Sequence, residues 1–300
     1  MFLKSGDFLD ARYQVTRRLS RSAMGEVWAG RRVSDNLPVA IKVLARGVAG
    51  RPECRHRFER EARAVARITS DYVCPLLDRG MSDRAGLFLV FELLRGQSLA
   101  ERLAAQPRLS FNETIRIILD TLHGVEVAHR AQVLHRDIKP SNIFLKSMSQ
   151  GHRAVVLDFG VAKIVGQSKY FDEPSITAYD DTVGSVAYIA PEQIRGAARV
   201  DERADLYAVA CVMFRMLTGR LPFEATSASI LARQKLDRSA PSLYQATGVP
   251  WHPQLETDMA QWLARDPNER PRTAADAKRL LASWLDLAQR SPLGLLAGAT

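Results

Sequence analysis

Cysteine is scarce in this sequence of 300 residues, which holds only Cys54, Cys74 and Cys211, widely spaced. Thiols so few and so scattered exclude a disulfide framework and a cysteine-based zinc site. Long apolar runs are missing too. The longest extends from Leu206 to Phe214, far short of the roughly 20 residues that a membrane-spanning helix needs. We therefore predict a reducing environment for the chain and a buried core helix at that run.

The sequence also lacks a targeting signal. Asp7 and Asp10 interrupt the place where a signal peptide carries its apolar stretch, and no small-residue cleavage site follows. No repeat of solenoid length and no low-complexity segment is visible. We expect a cytoplasmic location, no membrane segment in this chain, and terminal tails at residues 1–8 and 291–300.

Charge is not balanced: 42 basic residues against 33 acidic ones give a net charge of +9. Such an excess would suit nucleic acid, an anionic membrane or acidic substrates. The basic residues are spread along the chain, however, and no basic motif with interleaved aromatic residues occurs. We expect no nucleic-acid partner.

The periodicity of apolar residues changes along the chain. Short segments rich in β-branched and aromatic residues predict strands at 13–16, 26–29, 39–44 and 87–91, with one amphipathic helix at 54–68 between them. After Gly96 the spacing predicts long helices at 115–131, 204–217, 255–263 and 273–287. This predicts an α+β fold of two lobes, a small antiparallel β lobe with one helix and a larger, mainly α lobe, with a cleft between them.

The motif HisArgAspIleLysProSerAsn, residues 135–142, carries the first chemical pattern. Asp137 and Asn142 lie five positions apart on a short loop, so both can face one pocket. The carboxylate can accept a proton from a hydroxyl, and the amide oxygen can ligate a cation. Lys139 lies between them and can neutralise charge on a transferred group.

Two further motifs add a metal ligand and an ammonium group. AspPheGly at 158–160 follows a strand-like segment and supplies a second carboxylate for Mg²⁺, the cation that bridges nucleotide phosphates. ValAlaIleLys at 39–42 ends in Lys42, which can hold two phosphates if a carboxylate fixes it. Glu61, on the amphipathic helix, is the natural partner.

With these motifs in family order and spacing over roughly Leu9 to Leu287, the sequence resembles the eukaryotic-like (Hanks-type) protein kinases, most closely the bacterial Ser/Thr kinases. The resemblance implies one kinase domain at 9–290, with a small lobe at 13–95 and a large lobe at 96–290. It implies that Lys42 pairs with Glu61 and contacts ATP and that Asp137 is the catalytic base. It also implies that Asn142 and Asp158 bind Mg²⁺, with Mn²⁺ as an alternative.

The resemblance extends to residues outside the catalytic motifs. AlaProGlu at 190–192 would end an activation segment, Asp205 would anchor the catalytic loop, and Arg270 is placed to pair with Glu192. His135 is interpreted as a structural residue packed under Phe159. Antibiotic phosphotransferases share the two lobes but usually lack the AlaProGlu helix and its Arg partner, so this pair favours protein substrates.

A nucleotide pocket also follows from the resemblance. Its residues would be Leu19, Ser20, Ser22, Gly25, Val27, Ala40, Lys42, Phe91, Glu92, Leu94 and Phe144. Among these, Val27, Ala40 and Phe144 would sandwich the adenine, Phe91 would be the gatekeeper, and Glu92 and Leu94 would offer hinge backbone groups.

The phosphate-covering loop departs from the family pattern of three glycines. In residues 20–25, SerArgSerAlaMetGly, serine stands at the first two glycine positions and only Gly25 remains. Where φ must be positive, a residue with a Cβ atom is about 1 kcal/mol less favourable than glycine. A serine hydroxyl can nevertheless donate a hydrogen bond to phosphate. This departure supports a second hypothesis, a pseudokinase or weakly active ATP-binding regulatory module.

The resemblance also implies specificity and a switch. Lys139 and the ProSerAsn after it are typical of the Ser/Thr class. Arg136 precedes the base, as in kinases that are switched by a phosphate on the activation segment. Thr177 and Thr182 are the candidate acceptors, with Ser175 as an alternative. We expect ATP and protein substrates carrying Ser or Thr as partners. Members of the family also form homodimers through the small lobe, so the resemblance adds such a homodimer to the expectations.

Overall fold

The computed structural model describes residues 3–22, 25–44, 52–82, 85–159, 183–196 and 200–290. The small lobe contains an antiparallel sheet of six strands in the order β1-β2-β3-β4-β6-β5. These strands are β1 (Phe8–Leu9), β2 (Tyr13–Ser22), β3 (Gly25–Arg32), β4 (Pro38–Leu44), β5 (Leu76–Ser82) and β6 (Gly86–Glu92). Between β4 and β5 lies helix α1 (Pro52–Val65), close to the predicted 54–68.

The large lobe is mainly helical, as predicted. Its helices are α2 (Leu99–Ala105), α3 (Phe111–Arg130), α4 (Val183–Val186), α5 (Pro191–Ile194), α6 (Glu202–Thr218), α7 (Ala228–Asp237), α8 (Leu243–Thr247), α9 (Pro253–Trp262) and α10 (Ala274–Arg290). A small antiparallel sheet, β7 (Gly96–Ser98), β8 (Ile143–Ser147) and β9 (His152–Val156), lies at the start of this lobe. Strand β8 begins at Ile143, directly after Asn142, and β9 ends at Val156, two residues before Asp158, so this sheet positions the ends of both motifs.

Helix α6 forms the centre of the large lobe, as the longest apolar run predicts. It is apolar on all sides, and nearly every residue from Ala204 to Leu217 is buried; such a helix belongs in a core. Asp201 caps its N-terminus by accepting the backbone N–H of Arg203, and Gly219 ends it in a left-handed conformation with φ of +76°. Helices α3, α8 and α9 pack against it.

One core cluster continues from the small lobe into the catalytic region. It joins Phe58 of α1 and Leu89 of β6 to Val156 of β9 and to Phe159, which directly follows Asp158. The backbone links the same elements, since the Cys74 N–H donates to the Val156 carbonyl at 2.9 Å. Phe159 of the AspPheGly motif is thereby packed into the contact between the two lobes. None of the helices in the described ranges has the length and apolar character to cross a bilayer.

Candidate active site

Asp137, Lys139 and Asn142 lie in contact on the loop between α3 and β8. The Asp137 Oδ2 atom is 3.0 Å from the Lys139 Nζ atom and 3.2 Å from the Asn142 Nδ2 atom. Asn142 Nδ2 also donates to the backbone carbonyl of Asp137 at 2.8 Å. The Asp137 carboxylate thus has a cation on one side and an amide donor on the other. The structure therefore brings together three residues that the sequence placed in one pocket.

The backbone of this loop is held by Asp205, near the start of α6. One carboxylate oxygen accepts the N–H of His135 at 2.8 Å, and the other accepts the N–H of Arg136 at 2.7 Å. His129 Nε2 is hydrogen-bonded to the same carboxylate at 2.8 Å. Burial acts to raise the pKa of Asp205, but its hydrogen bonds and electrostatic interactions with His129 and His135 together outweigh burial and hold that pKa below its ordinary value.

The anchored backbone is locally strained. Arg136 has a φ of +61°, a left-handed conformation that non-glycine residues rarely adopt. Two N–H groups of adjacent residues fixed on one buried carboxylate supply the restraint that such a conformation needs. The anchor that the resemblance implies for Asp205 is present as a set of hydrogen bonds.

His135 is buried beneath the site and serves as a structural link. Its Nε2 hydrogen is directed to the Leu157 carbonyl at 2.7 Å, and its Nδ1 atom accepts the N–H of Asp137 at 3.2 Å. The ring centroid is 4.8 Å from that of Phe159. Burial lowers the pKa of His135, which agrees with a neutral ring that uses one nitrogen as donor and the other as acceptor. This matches the interpretation of His135 as a structural residue packed against Phe159.

Lys42 and Asp158 meet across the cleft between the lobes. Lys42 lies on β4, Asp158 follows β9, and their Nζ and Oδ2 atoms are 3.0 Å apart. Asp158 has a φ of +54°, a second strained non-glycine residue at the site. Glu61 lies on α1, but its side chain is outside the described part of the chain, so its pairing with Lys42 stays a prediction.

The two candidate metal ligands are adjacent in space. The Leu157 N–H donates to the Asn142 carbonyl at 2.8 Å, which places Asp158 beside Asn142. Because Asn142 Nδ2 is committed to Asp137, its Oδ1 atom remains to ligate a cation. One amide oxygen and one carboxylate suit Mg²⁺, which takes its other ligands from phosphates and water. In the described ranges no group of three or more His, Cys, Asp or Glu side chains forms a metal cluster; Asn142 and Asp158 stay the candidate ligands.

The predicted phosphate-covering loop falls at the hairpin of β2 and β3. Ser20 pairs with Val27 and Ser22 with Gly25, while residues 23 and 24 lie outside the described part. Gly25 has a φ of +142°, and a Cβ there would lie 2.0 Å from the Val43 carbonyl oxygen. Only glycine fits so close to the neighbouring strand. The one glycine that the loop retains is thus required by the contact of β3 with β4.

The predicted adenine pocket lies on adjacent strands and the segment after them. Val27 pairs with Lys42 across β3 and β4, and Ala40 pairs with Phe91 across β4 and β6. Leu19 lies on β2 next to the phosphate loop, Leu94 follows β6, and Phe144 lies on β8, paired with Val155.

An ion pair that the sequence did not indicate lies at the hinge. Lys146 Nζ on β8 is 2.8 Å from the Glu92 Oε1 atom, and the Cys74 thiol donates to the Glu92 carbonyl with an Sγ–O distance of 3.7 Å. Burial raises the pKa of Cys74 to about 12, so the thiol stays protonated. Nothing in the sequence pattern around Lys146 indicates this contact, because the two residues are 54 positions apart.

Arg270 and Glu192 form a buried, two-pronged ion pair. The Arg270 Nη1 and Nη2 atoms each lie 2.8 Å from a Glu192 carboxylate oxygen, Oε1 and Oε2 respectively. The Arg270 side chain is 0% exposed. Arg270 also donates to the Ala264 carbonyl at 2.8 Å. The pair that the resemblance predicts is present, and it fixes α5 to the loop before α10. Of the predicted switch residues, Arg136 is half-buried beside Asp137, whereas Thr177 and Thr182 lie outside the described residues.

Comparisons with known proteins agree with this geometry. The family model described as "Protein kinase domain" matches residues 13–289. Serine/threonine-protein kinase PknL of Mycobacterium tuberculosis is 35% identical over 263 residues, which are 87% of this chain and 63% of that protein. Serine/threonine-protein kinase pkn3 of Myxococcus xanthus is 32% identical over 271 residues, 90% of this chain and 49% of that protein. The chain therefore spans about half to two thirds of the length of these relatives.

Among solved structures, the kinase domain of Mycobacterium tuberculosis PknI superimposes with a TM-score of 0.72. It is 26% identical to this chain, and the match covers 94% of this chain and 99% of that one. The agreement confirms the predicted fold, a small β lobe with one helix on a larger α lobe.

Proposed function

The chain belongs to the protein kinase domain family, and from this membership we propose that it transfers the γ-phosphoryl group of ATP to serine and threonine hydroxyls of protein substrates. The observation that carries the proposal is the placement of Lys139 and Asn142 on the Asp137 carboxylate, with the Leu157–Asn142 backbone hydrogen bond bringing the Lys42–Asp158 ion pair to the same loop. The names of the relatives, serine/threonine-protein kinases, support the same reaction.

Each residue has one part in the proposed reaction. When bound, ATP supplies the phosphoryl group and a divalent cation neutralises its phosphates; we propose Mg²⁺, with Mn²⁺ as a substitute. Asp137 accepts the proton of the acceptor hydroxyl, and Lys139, 3.0 Å from its carboxylate, balances charge next to the transferred group. Asn142 and Asp158 hold the cation.

The remaining residues orient the nucleotide and its surroundings. Lys42 binds phosphate oxygens, with Glu61 as its proposed second partner. The hinge residues Glu92 and Leu94 hold the adenine through backbone groups, below the hairpin of Ser20, Ser22 and Gly25 and the side chain of Leu19. The other apolar walls of this pocket are Val27, Ala40, Phe91 and Phe144. The domain bounds 9–290, with lobes at 13–95 and 96–290, belong to the same proposal.

We also propose a switch in which phosphates on Thr177 and Thr182 are bound by Arg136, because a phosphate adds about −2 charge that a guanidinium can hold with two hydrogen bonds. Cytoplasmic location and a homodimer through the small lobe complete the proposal.

The test identifies which hydroxyl groups accept phosphate. The chain is incubated with ATP and Mg²⁺ together with peptide mixtures that differ only in carrying Ser, Thr or Tyr, and products are identified by mass spectrometry. We expect phosphoserine and phosphothreonine, and phosphate at 177 and 182 of the chain itself. Phosphotyrosine as the main product, or transfer to small-molecule hydroxyls alone, would refute the proposed substrate class, and no transfer at all would favour a pseudokinase.

A further inference from the structure

Lys235 on α7 is a fully buried cation with an unusual set of partners. Lys235 is 0% exposed, and no carboxylate among the described residues lies at ion-pair distance from its Nζ atom. Its Nζ atom donates to three backbone carbonyls, those of Val186 at 3.0 Å, Ala187 at 2.7 Å and Ile189 at 2.7 Å. An ammonium group has three N–H donors, so a single side chain uses its full capacity on one short segment.

Burial of a lysine without a counter-ion is costly, and lysine is rarely found fully buried unless it is paired. The three carbonyls offset part of that cost, and the ring of Tyr207 on α6, whose centroid is 5.0 Å from Nζ, offsets more through a cation–π contact. The guanidinium of Arg270 is also 4.7 Å from the centroid of the Tyr207 ring. The Tyr207 ring therefore contacts both Lys235 and Arg270, which links Lys235 to the Glu192–Arg270 ion pair.

The segment that Lys235 holds, residues 186–189, lies against the loop that carries Asp137. Tyr188 and Ile189 line a small space together with Arg136, Asp137 and Gln193. The acceptor hydroxyl must reach Asp137, so the position of this segment affects the acceptor site. The Tyr188 hydroxyl accepts from Arg215 Nη1 at 2.7 Å, so the segment is held by this side chain as well as by its carbonyls.

We infer that Lys235 is a positioning residue for the acceptor site: its ammonium group fixes the backbone of residues 186–189, the segment that lies beside Asp137. This inference rests on the proposed function and deepens it. Lys235 touches neither nucleotide nor acceptor in this arrangement, and it acts through the three carbonyls that it binds. Its removal should affect peptide binding more than ATP binding.

The test compares two variants with a matched control on the same helix. Lys235→Met keeps the length of the side chain and removes all three donors, and Lys235→Gln keeps two donors. Arg233→Met is the control, because the Arg233 side chain is 84% exposed. Loss of the donors leaves buried carbonyls unsatisfied, so we expect kcat/KM for a peptide acceptor to fall about tenfold or more in Lys235→Met and less in Lys235→Gln. KM for ATP should change less than about twofold, since no nucleotide contact is touched.

A second readout needs no catalysis. Amide hydrogen exchange in the nucleotide-free chain should become faster at residues 186–190 in both variants, while α6 stays protected. Should Lys235→Met not fold, Lys235→Gln decides by the same two measurements. Variants that match Arg233→Met in peptide kinetics and in exchange would overturn the inference, and so would uniformly faster exchange with unchanged peptide kinetics, which would assign Lys235 to stability alone. A wild-type chain that phosphorylates no peptide would refute the proposed function, and exchange at residues 186–190 would still report on Lys235.

Discussion

A single carboxylate, that of Asp205, holds the backbone of two consecutive residues in the catalytic loop and is hydrogen-bonded to His129 as well. Its effect on the reaction is indirect, because it touches the loop and not the reacting atoms. The conformation of Arg136, with φ of +61°, is maintained by these bonds. Asp205 therefore determines where the neighbouring Asp137 carboxylate lies.

We expect Asp205→Asn to lower kcat about 100-fold, since an amide nitrogen cannot accept the second backbone N–H and a displacement of about 1 Å at Asp137 has a cost of this size. The measurement is steady-state peptide phosphorylation. Asp237→Asn, at an exposed carboxylate on α7, is the control and should retain normal activity. Equal activity of the two variants would show that the anchor is dispensable.

His135 makes stability depend on pH. Its pKa is lowered in the folded protein by burial, so on acidification the unfolded chain takes up a proton that the folded chain does not. The stabilisation is present above the unfolded pKa of about 6.5 and is lost as pH falls below it. Between pH 7 and pH 5 the free energy of unfolding should fall more steeply in the wild type than in His135→Phe, as measured by urea denaturation. Parallel curves for the two proteins would contradict this account of His135.

At the scale of elements, the ion pair of Glu192 and Arg270 joins α5 to the loop before α10. Arg270→Met would leave the Glu192 carboxylate, which is 10% exposed, without its counter-ion. The loss of one partner from a buried pair costs about 3–5 kcal/mol, and we expect urea denaturation to report a loss in that range. Arg233→Met, which removes an exposed pair, should change the free energy of unfolding by no more than about 0.5 kcal/mol. Similar losses in both variants would show that burial does not strengthen the role of the pair.

The elements that could be predicted are those with strong periodicity. The runs that predicted helices at 204–217 and 273–287 lie in α6 and α10, because their apolar residues face a core that the pattern itself defines. Strands β1 and β5 were missed. Strand β5 (Leu76–Ser82) is an edge strand, paired among the described residues with β6 alone, and its half-exposed residues do not alternate between apolar and polar. Helices α7 and α8 were also missed, being short and only partly buried.

The residues of the site also fall into those that the sequence predicts and those that it does not. Asp137, Asn142, Lys42 and Asp158 could be predicted because each lies within a short motif of fixed spacing. Lys235 could not, since its three carbonyl partners are 46 to 49 positions away and are backbone atoms, which leave no trace in the type of residue. Contacts of this kind depend on the packing of α7 against residues 186–189, which only the folded chain defines.

At the scale of the whole molecule, the apolar cluster that joins the lobes contains Phe159, directly after Asp158. The position of a candidate metal ligand is thereby coupled to the packing of α1 and β6 on the large lobe. The Lys42–Asp158 ion pair spans the same junction from β4. Under the proposed function, this junction holds the candidate nucleotide-binding residues of one lobe beside Asp137 of the other. The central claim is that the residues so held transfer phosphate from ATP, with Asp137 as the proton acceptor.

The most direct test of that claim is transfer of labelled phosphate from ATP to a basic protein substrate by the wild-type chain and by Asp137→Asn at equal concentration. Asparagine keeps the size of the side chain but cannot accept the hydroxyl proton as a carboxylate does. We expect transfer by the wild type and a loss of about 100-fold or more in the variant, with the KM for ATP unchanged. Equal transfer by both proteins would contradict the assignment of Asp137 as the base and the kinase mechanism built on it.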